Sequence, residues 1–591
     1  MAKKRTLRKK RGAKSFFGRI RQNKLLTYGV LIAVLLVAGI VGYATYQGLT
    51  ASGSVCRDST NTGRVHLTNT KLLFKDSSEV AFCVTGAKGA VVMTIRNSAN
   101  TQVWTKTIQN KDLAKAPSYT AVRPDTKLQT GSYTFALLDR ATNNRVDVSF
   151  GVTGSEPERD PYYGVNTHYI KGKTSGTDGR ANLSTTYPLL DRIGVSSVRE
   201  TIAWNTIEKQ KNTFAIPGTY VNDFMNTARA SNDPVIFVAA YGNALWTGGD
   251  AAPPVTDLDV KKFAAYIDYV LDTYPQIQYV ELTNEYDHVA DKTKNSRTNG
   301  TGKEYAALFK KTAQVLRNDY KQTKVKLIAG SISTLSGSGG ETCQCNDVGR
   351  FNKWWEEFGA GGGFRAADYV SFHRYDDIIP SDGSAYHRRL DEIVKKYNGG
   401  ESKPIIVSEV GLATSTNPQW RGVVVNERDQ AAGLVRTYVA YKRSGVVTNV
   451  LWYDAIDNGI DRNNIEHNWG LFKRPTNQAP YAYQPKQAAM AFYWMRRELD
   501  DGYRLTNVTQ PVAGVQQYTF TKGDSKRYIL WQDKLFASND QSSVNVTVNI
   551  RSNAPTNVYN MLGERMADRD KKYSNGKITV KVQTTPTYIN N

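Results

Sequence analysis

QYVELTNE, residues 278–285, and PIIVSEVG, residues 404–411, are the stretches that decide the fold, because each is a short apolar run ending in polar residues. Such runs recur with amphipathic helical segments between them, which is the pattern of parallel strands joined by helices. Eight strand–helix units within residues 160–500 predict a (β/α)8 TIM barrel. A doubly wound open sheet is the alternative, and it fits less well because no Gly-rich phosphate loop follows a run. The runs begin near residues 162, 195, 234, 278, 325, 368, 404 and 449.

The regions on either side of the predicted barrel are rich in short alternating strands. Residues 54–153 contain EVAFCVTG, AVVMTIRN and GSYTFALLD, with turns at close spacing, and predict an Ig-like β-sandwich. Residues 502–591 contain VQQYTFTK, RYILWQD and SVNVTVNI and predict a C-terminal β-sandwich. Cys56 and Cys83 are close enough in sequence to form a disulfide within the first of these domains.

The N-terminus carries much of the excess positive charge of the chain. Residues 1–24 hold eleven Lys and Arg and no acid, within a formal net charge of +23. Residues 25–47 hold no charge, and as a helix they would span roughly 35 Å, enough to cross a hydrocarbon core of about 30 Å. This pattern predicts a single-pass membrane anchor, with a cytoplasmic N-terminus and an extracytoplasmic catalytic region. A cleaved signal peptide is the alternative, but its apolar stretch is usually shorter, at about 7–15 residues.

The remaining charge and the other cysteines narrow the choice of partners. The rest of the excess charge is spread thinly along the chain, so no nucleic-acid partner is expected. Cys343 and Cys345 form an isolated Cys-x-Cys in a Gly/Ser-rich loop, which is either a strained local disulfide or two free thiols. No second Cys or His pair sits at a spacing suited to zinc. We therefore expect neither a metal nor an organic cofactor.

Two carboxylates stand at the ends of predicted strands. Glu285 ends the fourth run, and Glu409 ends the seventh run 124 residues later. Because the C-terminal strand ends of a barrel share one face, the two glutamates should face each other across its mouth. Cleavage of a glycosidic bond needs such a pair, since one carboxyl protonates the leaving oxygen while the other attacks the anomeric carbon or activates water. Glu281 lies in the same run as Glu285 and is left as a structural residue that could point either way.

These strand ends resemble clan A of the retaining glycoside hydrolases, in which the acid/base follows an Asn at the end of strand 4 and the nucleophile ends strand 7. Within the clan, GVNTHY (164–169), VRETIAWNTIE (198–208) and the two carboxylate motifs are most similar to family 39 enzymes, with family 5 next. The resemblance covers residues 160–500 and a trailing sandwich, and it leaves the N-terminal third outside. Tyr286 departs from the pattern, because many relatives have Pro after the acid/base.

Matched residue by residue, the resemblance implies a set of site residues. Glu285 corresponds to the acid/base and Glu409 to the nucleophile. The supporting residues are Asn284, which would hold the sugar 2-hydroxyl; Arg199, which would keep the nucleophile ionised; His168, a substrate-hydroxyl contact; His373, beside the nucleophile; Tyr375, a hydrogen-bond partner of Glu409; and Trp452, a stacking platform under the sugar.

The sequence therefore predicts a retaining glycoside hydrolase that cleaves an extracellular or envelope polysaccharide by double displacement. A non-catalytic polysaccharide-binding surface protein is the competing class, and a transglycosylase would share every residue named. The sugar, the linkage, endo or exo action and the oligomeric state are left open by the sequence.

Overall fold

The computed structural model describes most of the chain beyond its N-terminus. Among the residues it describes, no helix combines the length and the apolar character needed to cross a bilayer. The predicted tail (1–24) and anchor (25–47), and also Cys343 and Cys345, lie outside the described residues. The structure describes residues 55–59, 63–170, 181–290, 297–298, 300–333, 348–375, 385–418, 423–499, 502–534, 542–550 and 556–591.

The centre of the molecule is a closed barrel of eight parallel strands. The first strand pairs with both the second and the eighth, so the sheet closes on itself. The predicted TIM barrel is confirmed, and the open-sheet alternative was wrong. The strands are β1 Tyr163–Asn166, β2 Ser197–Ala203, β3 Val235–Ala240, β4 Tyr279–Leu282, β5 Lys326–Ile332, β6 Tyr369–Arg374, β7 Ile405–Val410 and β8 Val447–Trp452.

Each barrel strand is followed by a helix, and several helices begin at side-chain caps. Thr256 and Thr301 each form a capping box with the acid three residues later, which satisfies backbone N–H groups of the first turn. The helices are α1 Leu183–Ile193, α2 Thr219–Ala230, α3 Asp257–Thr273, α4 Gly302–Asn318, α5 Val348–Ala360, α6 Ala385–Tyr397, α7 Glu427–Lys442 and α8 Gln487–Glu498. Shorter helical segments are Trp204–Ile207, Ala244–Thr247, Tyr286–His288, Gly363–Ala366 and Ile465–His467. Short strand pairs join Val289–Ala290 to Arg297–Thr298 and Phe472–Lys473 to Gln484–Pro485.

Strand alternation sorts the side chains of the barrel into an inner and an outer set. Ile236, Ile328, Ile406 and Leu451 come from four different strands and pack together, so they fill the barrel interior. Their sequence neighbours belong to the large apolar cluster between strands and helices. Because side chains alternate with a period of two, residues two or four positions beyond the inner layer point into the barrel mouth.

The region before the barrel folds into two sheets that pack face to face, and all their strand pairs are antiparallel except that of Leu73–Phe74 with Asn144–Val152. Phe82 on one sheet stacks on Phe135 of the other at 3.8 Å between ring centroids. A disulfide joins Cys56 to Cys83, as predicted. The smaller sheet contains His66–Leu67, Phe82–Thr85 and Thr120–Val122, and the larger contains Leu73–Phe74, Val91–Asn97, Gln102–Ile108, Gly131–Asp139 and Asn144–Val152. An Ig-like topology for these sheets stays a prediction.

The region after the barrel also forms two sheets, and it docks on α7. Arg436 of α7 is 2% exposed and donates hydrogen bonds to the backbone oxygens of Gln532, Lys534 and Thr584. Burial lowers the pKa of Arg436 to about 9. The sheets contain Arg504–Thr509, Val515–Lys522, Ser525–Gln532, Asn557–Asn560 and Thr587–Asn590 in one, and Val544–Asn549, Lys571–Ser574 and Lys577–Val582 in the other.

Replacing Arg436 with methionine should loosen this docking. The variant leaves buried carbonyl oxygens without their donor, at about 1–3 kcal/mol for each unsatisfied group. We expect the free energy of unfolding, measured with urea, to fall by about 3 kcal/mol, and residues 502–591 to become sensitive to protease. The exposed Arg443→Met at the end of the same helix is the control. Equal stability of the two variants would contradict the docking role.

Candidate active site

Glu285 sits on an unusual turn directly after β4. Thr283 has φ +68° and Glu285 has φ +49°, both in the left-handed region. Such a backbone costs about 1–3 kcal/mol per non-glycine residue and persists only where neighbours hold it. The Glu285 N–H donates to the backbone oxygen of Ser331 on β5 at 2.8 Å. The side chain is 28% exposed, so its carboxyl group is accessible from the barrel mouth.

Glu409 lies at the end of β7, with both carboxylate oxygens engaged. Arg199 Nη1 donates to Oε1 at 2.6 Å, and the Tyr375 hydroxyl donates to Oε2 at 2.5 Å. Burial, together with the Glu409 charge, raises the pKa of Tyr375 well above its usual value, so this hydroxyl keeps its proton. Hydrogen bonds to a carboxylate and an adjacent cation both favour its charged form.

Arg199 on β2 is the cation that connects the buried carboxylates of the site. Its Nε donates to Glu281 Oε2 at 2.6 Å, so the guanidinium bridges Glu281 and Glu409. Burial lowers the pKa of Arg199, but the two carboxylates more than offset this and raise it overall. The guanidinium also donates to Asn166 Oδ1 (2.9 Å), Asn284 Oδ1 (2.7 Å) and Ser331 Oγ (3.1 Å).

His373 on β6 lies between the two glutamates. Its Nδ1 is 3.1 Å from Glu285 Oε1 and 3.4 Å from Glu409 Oε2, while its Nε2 is 2.9 Å from Ser331 Oγ. Burial lowers the pKa of His373, but Glu409 and Glu285 more than compensate, and the pKa is raised overall. One oxygen of Glu285, one oxygen of Glu409 and one nitrogen of His373 all lie within 4.8 Å of one another.

These same three groups are close enough to be considered as metal ligands. The donor set argues against a cation, because Arg199 already places a fixed positive charge 2.6 Å from Glu409. Both Glu409 oxygens also accept hydrogen bonds, which a metal would have to displace. The absence of a metal requirement stays a prediction.

The other predicted residues also reach the barrel mouth, with one exception. Asn284 accepts from Arg199 through Oδ1, which orients its Nδ2 as a donor beside Glu285. His168 lies two residues after β1, with Nδ1 at 2.9 Å from Asn458 Oδ1 and 3.4 Å from Asp454 Oδ2. The contacts of Asn284 and His168 to sugar hydroxyl groups stay predictions.

The exception is Trp452, and its prediction as a stacking platform was wrong. Trp452 is 0% exposed and packs in the outer cluster between strands and helices. It follows Leu451, which fills the barrel interior, so alternation turns the Trp452 ring outward. Tyr453 points inward instead, half-buried, with its ring 5.4 Å from His168 and 6.1 Å from Tyr375.

For the glycoside hydrolase that the sequence predicts, we expect Tyr453 instead of Trp452 to carry the contact to the sugar face. Covering roughly 60 Å² of apolar ring surface is worth about 1.5 kcal/mol, so Tyr453→Ala should raise KM about tenfold, with a smaller change in kcat. Trp452→Phe is the matched control, because it should lower thermal stability and leave KM unchanged. A KM that responds to the Trp452 variant and not to the Tyr453 variant would reverse the assignment.

Several site residues were missed from the sequence. Glu281 and Asn166 bind Arg199, and Ser331 contacts both Arg199 and His373. Glu281 lies two residues beyond Tyr279, so alternation along β4 places it inside the barrel once Tyr279 is seen to pack against the interior residues. Ser331 lies within a register shift of β5, between Ala329 and Ile332, and has φ +52°; no local pattern indicates either feature.

The chain has the fold of a family 39 glycoside hydrolase. The solved family 39 structure from the gut symbiont Bacteroides cellulosilyticus WH2 covers 89% of this chain and 99% of its own, with a TM-score of 0.66 and 18% identity. Xylanase C of family 30 from Talaromyces cellulolyticus covers 74% of this chain and 98% of its own, with a TM-score of 0.46 and 11% identity. A family 30 endoxylanase from Clostridium papyrosolvens C71 covers 74% and 98%, with a TM-score of 0.44 and 12% identity. No family model and no curated protein matches the sequence.

The family 39 likeness confirms the predicted resemblance at the level of the fold, and it is wider than predicted. Residues 160–591 are 432 of the 591 residues, or 73%, whereas the match covers 89%. The match therefore extends into the N-terminal sheets, which the sequence resemblance had left outside.

Proposed function

We propose that this chain is a retaining glycoside hydrolase that cleaves β-glycosidic bonds of an extracellular or envelope polysaccharide. The observation that carries the proposal is the carboxylate pair at the barrel mouth. Oxygens of Glu285 and Glu409 lie within 4.8 Å of each other, and retaining enzymes hold their two carboxyl groups about 5–5.5 Å apart. Inverting enzymes need a wider gap, about 6.5–9.5 Å, to admit a water molecule. The family 39 fold supports the same reading.

In the first step, a Glu409 oxygen attacks the anomeric carbon while the bond from that carbon to the leaving oxygen breaks. Glu285 gives its proton to the leaving oxygen, so the first product departs as a neutral alcohol. Arg199 and Tyr375 hold Glu409 in one orientation through its two oxygens. A fixed carboxylate begins the reaction in a near-attack position and loses little entropy on the way to the transition state.

In the second step, water replaces the leaving group and the covalent bond to Glu409 is cleaved. Glu285, now ionised, takes a proton from the water as the oxygen attacks the anomeric carbon, and Glu409 leaves as a carboxylate. Both glutamates return to their starting protonation states. Two inversions at one carbon give net retention of the anomeric configuration.

The proposal also includes the cell envelope as the place of action. Residues 25–47 would anchor the chain in a membrane, with residues 1–24 in the cytoplasm and the barrel outside. The basic tail and the uncharged run that follows it support this topology. The Cys56–Cys83 disulfide is consistent with an oxidising compartment.

Product analysis on a panel of β-linked polysaccharides tests the function directly. The panel holds xylan, glucan, mannan and secreted exopolysaccharide, and proton NMR follows the anomer that forms first. We expect new reducing ends whose anomeric configuration is that of the substrate. Products of the opposite configuration would refute Glu409 as nucleophile. Stoichiometric binding without reducing ends would favour the binding protein, and chains longer than the substrate would favour the transglycosylase.

A further inference from the structure

The turn that carries Glu285 is held by hydrogen bonds to neighbouring elements of the barrel. Residues 283–288 form this segment, called here the acid turn. Thr283 and Glu285 both have a left-handed backbone conformation, which non-glycine residues rarely adopt without support from their surroundings. Asp287, at the centre of the short helical segment that completes the turn, is 4% exposed. The mechanism above makes no use of this buried carboxylate.

Asp287 ties the acid turn to the end of β5 and to α5. Its Oδ1 accepts from the Ser333 N–H at 2.9 Å, and its Oδ2 accepts from Arg350 Nη2 at 3.1 Å. Arg350 also donates to the Ser333 backbone oxygen at 3.1 Å, which closes a three-residue ring of hydrogen bonds. Two residues before Ser333, the Ser331 oxygen accepts the Glu285 N–H. The end of β5 is therefore joined to the acid turn on both sides of Glu285.

The Asp287 side of the turn borders a cavity. Asp287, Ser333 and Arg350 line a cavity of about 210 Å³, together with Trp354 of α5. Atoms that border a cavity lack packing partners on that side, so the hydrogen bonds of Asp287 add restraint there. Small displacements matter here, because an error of about 1 Å in a catalytic group can cost about 100-fold in rate.

We propose that Asp287 is a positioning residue that aims the Glu285 carboxyl at the leaving-group oxygen. The inference rests on the proposed role of Glu285 as acid/base. Asp287 touches neither Glu409 nor the reacting atoms; it acts by clamping the acid turn to Ser333 and Arg350. Burial raises the pKa of Asp287 to about 6, against the lowering effect of His288. At neutral pH the carboxylate is therefore mainly ionised and able to pair with Arg350.

Leaving-group dependence separates positioning of the acid from a loss of stability. The probes are the 2,4-dinitrophenyl and phenyl β-glycosides of the shortest oligosaccharide that the polysaccharide panel releases. Dinitrophenolate leaves without protonation, whereas phenolate needs the acid. For Asp287→Asn we expect kcat/KM to fall about 30- to 100-fold on the phenyl glycoside and to stay within about threefold on the dinitrophenyl glycoside. Arg350→Met, which removes the other half of the clamp, should show the same pattern.

Two further variants make the outcomes distinct. Asp233→Asn alters an equally buried acid, paired with Arg159 at the opposite end of the barrel, and should leave both rates unchanged. Glu285→Ala should show the same leaving-group pattern as Asp287→Asn with a larger loss. If Glu285→Ala shows no such pattern, the acid/base assignment itself fails. If Glu285→Ala shows it and the Asp287 variant loses both activities equally, or neither, the positioning role is overturned.

Discussion

Replacing Glu409 with alanine should lower kcat by about 10⁴- to 10⁶-fold, the range seen when an enzyme loses its covalent nucleophile. The variant keeps the acid group and the fold but has no oxygen to attack the anomeric carbon. Arg199 and Tyr375 would then face an open space beside that carbon. A small anion can occupy it, since the guanidinium supplies the positive charge.

Rescue of the Glu409→Ala variant by azide tests specifically whether Glu409 is the nucleophile. Added to Glu409→Ala with a dinitrophenyl glycoside, azide should attack from the Glu409 side and give a glycosyl azide of inverted configuration. NMR of the product and kcat with and without azide measure the effect. Glu392→Ala, an exposed glutamate on α6, serves as the control and should match the wild type. Full activity of Glu409→Ala, or an azide product of retained configuration, would contradict the assignment.

Replacing Arg199 with methionine should have the largest effect on stability. The change leaves Glu281 and Glu409 without the cation that bridges them at 2.6 Å on each side. Removing one partner of a buried ion pair costs about 3–5 kcal/mol, because an uncompensated charge stays in the interior. Urea unfolding at neutral pH measures this loss. Activity should fall as well, since Glu409 loses one of the two donors that orient it.

A second substitution separates the two consequences. Glu281→Gln in the Arg199→Met background removes one of the stranded charges, so part of the unfolding free energy should return while activity stays low. Arg389→Met removes an exposed ion pair to Glu392 and should cost no more than about 1 kcal/mol. An Arg199→Met protein as stable as this control would show that the buried guanidinium does not compensate the two carboxylates.

Arg199 also gives different surroundings to the two glutamates, for which we propose different tasks. Glu409 has both oxygens bound by donors and is 11% exposed, whereas Glu285 contacts His373 and is 28% exposed. The guanidinium and the tyrosine hydroxyl lie on the Glu409 side of the pair, and the His373 imidazole lies between the two glutamates. Environments that differ in this way are how one site assigns acid and nucleophile roles to the same residue type.

The eight apolar runs predicted the barrel because their pattern is local. A buried parallel strand needs a short apolar run, and each run in this chain corresponds to one strand. The placement of Glu285 and Glu409 followed directly, since polar residues at C-terminal strand ends meet at one face of a barrel. The structure brings their oxygens within 4.8 Å of each other.

The prediction of the stacking platform was wrong because it chose a residue on the outward face of β8, one position before the residue that faces the barrel mouth. Trp452 and Tyr453 both stand at the end of β8, and the family resemblance implied Trp452 as the platform. Alternation from the inward-facing Leu451 gives the opposite answer, but Leu451 could be recognised as inward-facing only once it was seen packing with Ile236, Ile328 and Ile406. Glu281 was left undecided for the same reason.

By itself, the sequence determined the barrel, the two flanking β-rich regions and the position of the two glutamates at strand ends, because local periodicity and strand-end position carry that information. Only the tertiary structure decided what surrounds those glutamates. Arg199 donates hydrogen bonds to carboxylates on β4 and β7, and to further acceptors at the ends of β1, β4 and β5. Contacts between residues up to 210 positions apart depend on closure of the barrel and on the bulges of β5 and β7, which no local pattern specifies.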